Sequence, residues 1–89
     1  MITRFTVKVL DPIGLHARPA GQLVKLVNES GLVVKIGKLG QELVQANSPL
    51  RVMALKAKSQ DELALEIEAD DEAMAKDLAS RIQQILKEL

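Results

Sequence analysis

The stretch Thr3-Arg4-Phe5-Thr6-Val7-Lys8-Val9-Leu10-Asp11-Pro12-Ile13-Gly14-Leu15-His16-Ala17-Arg18-Pro19-Ala20 changes its hydrophobic period once, and that change decides the fold. Over residues 3–9, Phe5, Val7 and Val9 alternate with Arg4, Thr6 and Lys8. A period of two puts one face of a strand in a core and the other in water. Asp11-Pro12-Ile13-Gly14 breaks the pattern, because proline has no amide to donate and glycine reaches backbone angles closed to other residues. From Ala17 onward, Ala20, Leu23, Val24 and Val27 fall at i, i+3, i+4 and i+7, the apolar stripe of a helix. Asn28-Glu29-Ser30-Gly31 ends that helix, with Gly31 suited to the left-handed position beyond the last turn.

The same two periods organise the rest of the chain. Residues 32–36 are short and β-branched, Gly37-Lys38-Leu39-Gly40 makes a turn, and residues 41–45 return as the second arm of a hairpin. Asn47-Ser48-Pro49 signals a helix start, a side-chain acceptor followed by proline at the first helical position, and the short helix runs over residues 49–55. Leu63, Leu65 and Ile67 alternate with Ala64, Glu66 and Glu68, giving a fourth strand. Asp70-Asp71-Glu72 opens a last helix with acidic residues at its positive end, and Ala75, Leu78, Ile82, Ile85 and Leu89 form its buried stripe. The order is β-α-β-β-α-β-α. Strands with one wet face call for helices on the other face only, so the fold class is α+β, a four-stranded antiparallel sheet with three helices on one face. A ferredoxin-like fold with an added helix fits the same order.

Composition narrows the chemistry. The chain has 89 residues, expected to form one domain over residues 1–89, and 47% of them are hydrophobic. Cys, Trp and Tyr are absent and Phe5 is the only aromatic, so the core is aliphatic. Without cysteine there is no disulfide, no thiolate metal site and no thiol chemistry, and one histidine alone offers no metal-binding set. No cofactor is expected. No apolar run approaches the roughly 18 residues of a membrane span, and Met1 leads straight into alternating sequence, so a soluble cytoplasmic domain is expected.

Basic and acidic residues balance at 12 each, which opposes non-specific attraction to nucleic acid or lipid. A single aromatic also cannot supply the stacking platform of an RNA-binding sheet. The charge is nonetheless uneven: residues 1–58 hold nine basic side chains against three acidic ones (Asp11, Glu29, Glu42), and residues 59–89 hold the reverse. A positive face built from the first part of the chain suits an acidic partner or a phosphate; uneven solvated surface charge gives the same count.

His16, the only histidine, stands where the loop becomes the first long helix. The first amides of a helix have no intrahelical acceptor and carry partial positive charge, so they form a prepared anion site. Arg18 adds a planar guanidinium able to hold two phosphate oxygens, Pro19 fits the first turn, and Ala17 and Ala20 leave the mouth uncrowded. These parts suit reversible phosphorylation of an imidazole, which requires positioning and charge stabilisation more than covalent assistance. By spacing alone, a lone histidine at a helix start is equally a cap or a surface residue, and Arg18 a plain surface charge. Hydrolysis would need a second polar group near His16, and Asp11 is the only nearby candidate.

The string Gly14-Leu15-His16-Ala17-Arg18-Pro19-Ala20 closely resembles the active-site signature of the HPr family, histidine-containing phosphocarriers of the bacterial phosphoenolpyruvate-dependent sugar phosphotransferase system. The resemblance extends over the whole chain and includes a second match at residues 47–55. It implies an open-faced β-sandwich fold. It also implies that His16 takes a phosphoryl group on Nδ1 from enzyme I and passes it to the A domain of a sugar permease. Arg18 is then its charge partner, with the Ala17 amide at the helix start. The chain is expected to act as a monomeric stoichiometric carrier and not as a turnover enzyme. A nitrogen-related regulatory phosphotransfer chain would use the same chemistry.

In the family a serine opens the second helix, and in many Gram-positive relatives a serine kinase and phosphatase act on it and a transcription regulator docks there. Ser48 occupies that place, although an N-cap role worth about 1 kcal/mol explains it equally. Pro49 and Arg51 stand where the regulated relatives usually have a flexible apolar residue and a glycine. Relatives that act only as catabolite-control proteins lack the histidine, so His16 argues against that role. Lys25, Leu50, Arg51 and Met53 match positions that meet partner proteins, with Leu50 the better exposed anchor and core packing the alternative for Met53. Lys56 and Gln60 replace usual glycines. A left-handed residue without glycine costs about 1 kcal/mol or more, which points to a different loop path there.

Overall fold

The computed structural model describes residues 1–87. Its elements are β1 (Ile2–Lys8), α1 (Ala17–Ser30), β2 (Val33–Lys38), β3 (Val44–Gln45), α2 (Pro49–Met53), β4 (Glu62–Glu68) and α3 (Glu72–Lys87). The four strands form one antiparallel sheet in the order β1-β4-β2-β3. In a ferredoxin-like sheet the first strand is interior; here β1 is an edge strand bonded only to β4, so that alternative does not hold. The architecture is the open-faced β-sandwich, with the helices against one face.

The register explains which side chains reach the core. Val7, Val34, Ile36, Leu63, Leu65 and Ile67 are buried, while their neighbours Arg4, Lys8, Lys35, Glu62 and Glu68 lie on the outer face in reach of water. Alternation thus does what a period of two requires. Ala64 is the exception: it is fully buried, yet it belongs to the outer face, where it is paired with Thr6 and Gly37. Helix α1 buries Ala20, Leu23, Val24 and Val27, the expected stripe, and ends at Gly31 in the left-handed region with φ 70°. At the end of β1 the outward edge is capped by Gln83 of α3, whose carboxamide accepts from the Lys8 amide at 2.8 Å and donates to the Lys8 carbonyl at 2.9 Å. Such cover shortens the open edge that could pair with another chain.

Four expectations need correction. The hairpin is shorter on its return: β2 continues through Gly37 to Lys38, and β3 is only Val44–Gln45. A Cβ on Gly37 would lie 2.8 Å from the Glu42 carbonyl oxygen, so glycine lets residues 41–43 crowd against β2 without joining the ladder. Helix α2 stops at Met53, and Ala54, Leu55 and Lys56 wind down in turns, the last reaching φ 54°. In α3, Ala79 and Leu86 are buried and Ile85 only half-buried. Leu86 lies four residues beyond Ile82 and continues the stripe, whereas Ile85 falls to its side; Leu89 lies outside the described residues. Finally, Lys56 and Gln60 do take left-handed angles, φ 54° and 77°, so the loop keeps a glycine-type path without glycine.

Candidate functional site

The loop from Leu10 to His16 is held at three points. Its start is tied to the end of α3, where the Leu86 carbonyl accepts from the amides of Leu10 and Asp11 at 2.9 and 3.0 Å. Carbonyls in the last turn of a helix lack intrahelical donors, so Leu86 is available for this role. The middle closes on itself: Gly14 donates to the Asp11 carbonyl at 3.0 Å, and Asp11 Oδ1 accepts from the Ile13 amide at 2.9 Å. The end is tied to the segment after α2, where Leu15 donates to the Ala57 carbonyl at 3.0 Å. Gly14 is required twice here. Its φ is +89°, and a Cβ on it would lie 2.9 Å from the Ala57 oxygen.

His16 is the N-cap residue of α1, with extended backbone angles and no side-chain capping bond. Its carbonyl accepts the first helical bond, from Ala20 at 3.0 Å. The imidazole is therefore not used as a cap. It turns instead to Asp11, with Nε2 3.3 Å from Oδ2, and its side chain is 30% exposed. Asp11 is the one buried charged residue among the described residues. The Ile13 amide holds its carboxyl below the ordinary value, burial opposes this, and His16 and then Arg18 add to the lowering. Asp11 is thus an anion beneath a partly exposed ring.

Ala17 and Arg18 occupy the first two positions of α1 and are exposed, and Pro19 follows, buried, in the same turn. Arg18 lies near enough to act on the Asp11 carboxylate through space. Lys25, exposed, follows Arg18 by two helical turns and shares its side of α1. Ser48 is the N-cap of α2, and its Oγ accepts from the Arg51 amide at 3.4 Å. Leu50 and Arg51 are exposed, Leu50 at 76%, whereas Met53 is half-buried against the core. Leu50 therefore has the exposure of a docking anchor and Met53 serves the core at least in part. The fold brings His16 onto Asp11, a pairing that sequence reasoning had weighed only for hydrolysis. An aspartate five residues before a loop histidine, across Pro12 and Gly14, was the available signal.

No helix among the described residues is long and apolar enough to cross a membrane. A family model described as the phosphorylation site of the phosphotransferase-system HPr component matches residues 3–87. The chain is 38% identical over 77 residues to the phosphocarrier protein HPr of Streptomyces coelicolor, covering 85% of this chain and 83% of that protein. It is 34% identical over 67 residues to the phosphocarrier protein HPr of Lysinibacillus sphaericus, covering 75% of each. The crystal structure of a phosphocarrier protein HPr from Bacillus anthracis superposes with a TM-score of 0.80 at 25% identity, over 94% of this chain and 95% of that one.

Proposed function

Since the chain belongs to the HPr family of phosphocarriers of the phosphotransferase system, we propose that His16 is its phosphorylated residue. It accepts a phosphoryl group from phosphorylated enzyme I and yields it to the A domain of a sugar permease. The protein is then substrate and product of successive transfers, acting in the cytoplasm as a single-domain monomer.

The observation that carries this reading is the state of the His16 ring. It heads a fourteen-residue helix, makes no capping bond and remains partly exposed, so it is held in place without being consumed by the fold. In the forward step the Nδ1 lone pair forms a bond to phosphorus. The bond from phosphorus to the donor breaks, and its electron pair stays with the donor. The phosphoryl oxygens meet the amide at the start of α1 and the Arg18 guanidinium, whose charges suit an anion there. The return step reverses these changes on the permease domain. Lys25, Leu50 and Arg51 supply an exposed basic and apolar surface for acidic partners, with Met53 at its inner border.

Incubation with phosphoenolpyruvate and enzyme I tests the reading. It predicts one acid-labile, base-stable phosphate per chain, on His16. No incorporation with an enzyme I that phosphorylates another HPr of proven competence would count against it.

A further inference from the structure

We infer that Asp11 is a positioning residue for the phosphoryl transfer: it holds the His16 proton on Nε2, leaves Nδ1 as the nucleophile, and balances the positive charge that the ring gains. The inference rests on the reading of His16 as the phosphoryl acceptor.

Three observations converge on it. Asp11 is buried and its two oxygens have separate duties, Oδ1 toward the Ile13 amide and Oδ2 toward His16 Nε2. An ionised carboxylate only accepts, so the contact with Nε2 is a hydrogen bond only when Nε2 carries the proton. The other nitrogen of a neutral ring must then hold its lone pair. The carboxylate cannot drift, because the Asp11 amide is tied to the Leu86 carbonyl and its own carbonyl to Gly14. Among the described residues, no buried side-chain polar atom lacks a partner, so the arrangement is closed as it stands.

The chemistry gives the pair a second task. When a neutral ring protonated on Nε2 forms a bond to phosphorus through Nδ1, the ring becomes a cation. A carboxylate already at Nε2 stabilises that cation, as the aspartate of a serine hydrolase triad stabilises its imidazolium. The contact of 3.3 Å is longer than a fully formed N–H···O bond, and ring charge strengthens and shortens it. On dephosphorylation the same pair returns a ring with its proton unmoved, ready for the next transfer.

Asparagine distinguishes this role from simple support. Its one carbonyl oxygen cannot serve both the Ile13 amide and Nε2–H. When it keeps the turn, it presents an NH₂ donor to Nε2 and favours the opposite tautomer. The experiment labels the protein with ¹⁵N-histidine and reads the imidazole shifts of wild type, Asp11→Asn and Asp11→Ala at alkaline pH, without phosphorylation. Wild type is expected as one tautomer, protonated on Nε2, and Asp11→Ala as a mixture. Phosphoryl acceptance should fall about tenfold or more in both variants, mainly in the turnover rate and not in the apparent KM for the carrier. The loss of order 10⁴ for an equivalent wrong-tautomer substitution marks the ceiling. A wild-type tautomer ratio that persists in a folded Asp11→Ala, or in Asp11→Asn if the alanine variant does not fold, overturns the inference. A Nε2-protonated wild-type ring that never accepts phosphate would instead strike the assignment of His16 and leave the hold of Asp11 on the ring standing.

Discussion

The Asp11 carboxylate meets the His16 imidazole at 3.3 Å, a buried anion under a partly exposed ring only five residues further along the chain. The tight turn through Gly14 makes so short a separation possible, because the loop must reverse before α1 begins. This pair, with Arg18 beside it, frames the expected behaviour of the site.

Replacing His16 with alanine should abolish phosphate acceptance and leave the chain folded but less stable, since the ring makes no capping bond yet is the partner of the buried Asp11 carboxylate. Phosphate incorporation and a urea melt check this together. Normal labelling of the variant would move the acceptor elsewhere.

Arg18→Ala should leave the fold intact and slow transfer. Loss of one charge-assisted contact corresponds to about 1.5–3 kcal/mol, on the order of a tenfold to hundredfold fall in rate. Rapid-quench rates in both directions decide the matter, and unchanged rates would reduce Arg18 to a surface charge.

A carboxylate at position 48 should cap α2 as well as the serine does, since no acidic residue occupies the first turn of that helix. Ser48→Asp is therefore expected to keep or slightly raise the melting temperature. Its charge, next to exposed Leu50 and Arg51, should raise the apparent KM for phosphorylation by enzyme I, with partial relief in high salt. Wild-type kinetics at every salt concentration would leave Ser48 a structural cap alone.

Lys56 and Gln60 hold left-handed backbone angles that glycine adopts without a Cβ penalty. Lys56→Gly and Gln60→Gly should each raise stability, by about 0.5–1 kcal/mol after the added freedom of the unfolded chain is deducted. Urea unfolding midpoints measure the gain, and a loss in both would show that side-chain contacts outweigh the backbone term.

Acid should expose the contribution of Asp11. Its carboxyl titrates below the ordinary value of 3.8, first because the Ile13 amide bonds the anion, with burial opposing and His16 and Arg18 assisting. A folded value below the unfolded one means stability that is present above about pH 4 and lost as pH falls through the folded value. The stability gap between wild type and Asp11→Asn should therefore be open at neutral pH and narrow in acid. Denaturation at about pH 7 and pH 3 compares the two, and a gap independent of pH would remove the charge from the account.

Much of the architecture is local and was therefore legible. Alternation in β1 and β4 and the stripe of α1 record which face each element buries, because a strand repeats every two residues and a helix every 3.6. The misjudged places are those where a contact outside the local pattern of alternation intervenes. Residues 41–43 read as strand until Gly37 allowed them to crowd β2 without pairing. Lys56 and Gln60 read as a departure from a glycine-type path, yet the amide of Gln60 is bonded to the Val9 carbonyl at 2.6 Å and the turn closes regardless.

By itself the sequence determined the element order, the buried faces, the family resemblance around His16 and the residue types able to hold a phosphoryl group. Each depends on spacing or on a contiguous string. Only the tertiary structure decided that β4 runs between β1 and β2, and that the end of α3 fastens the start of the site loop through Leu86. It alone brought the buried charge of Asp11 onto Nε2 of His16. Hydrogen bonds between distant segments depend on where packed elements come to rest, and a one-dimensional pattern carries no record of that geometry.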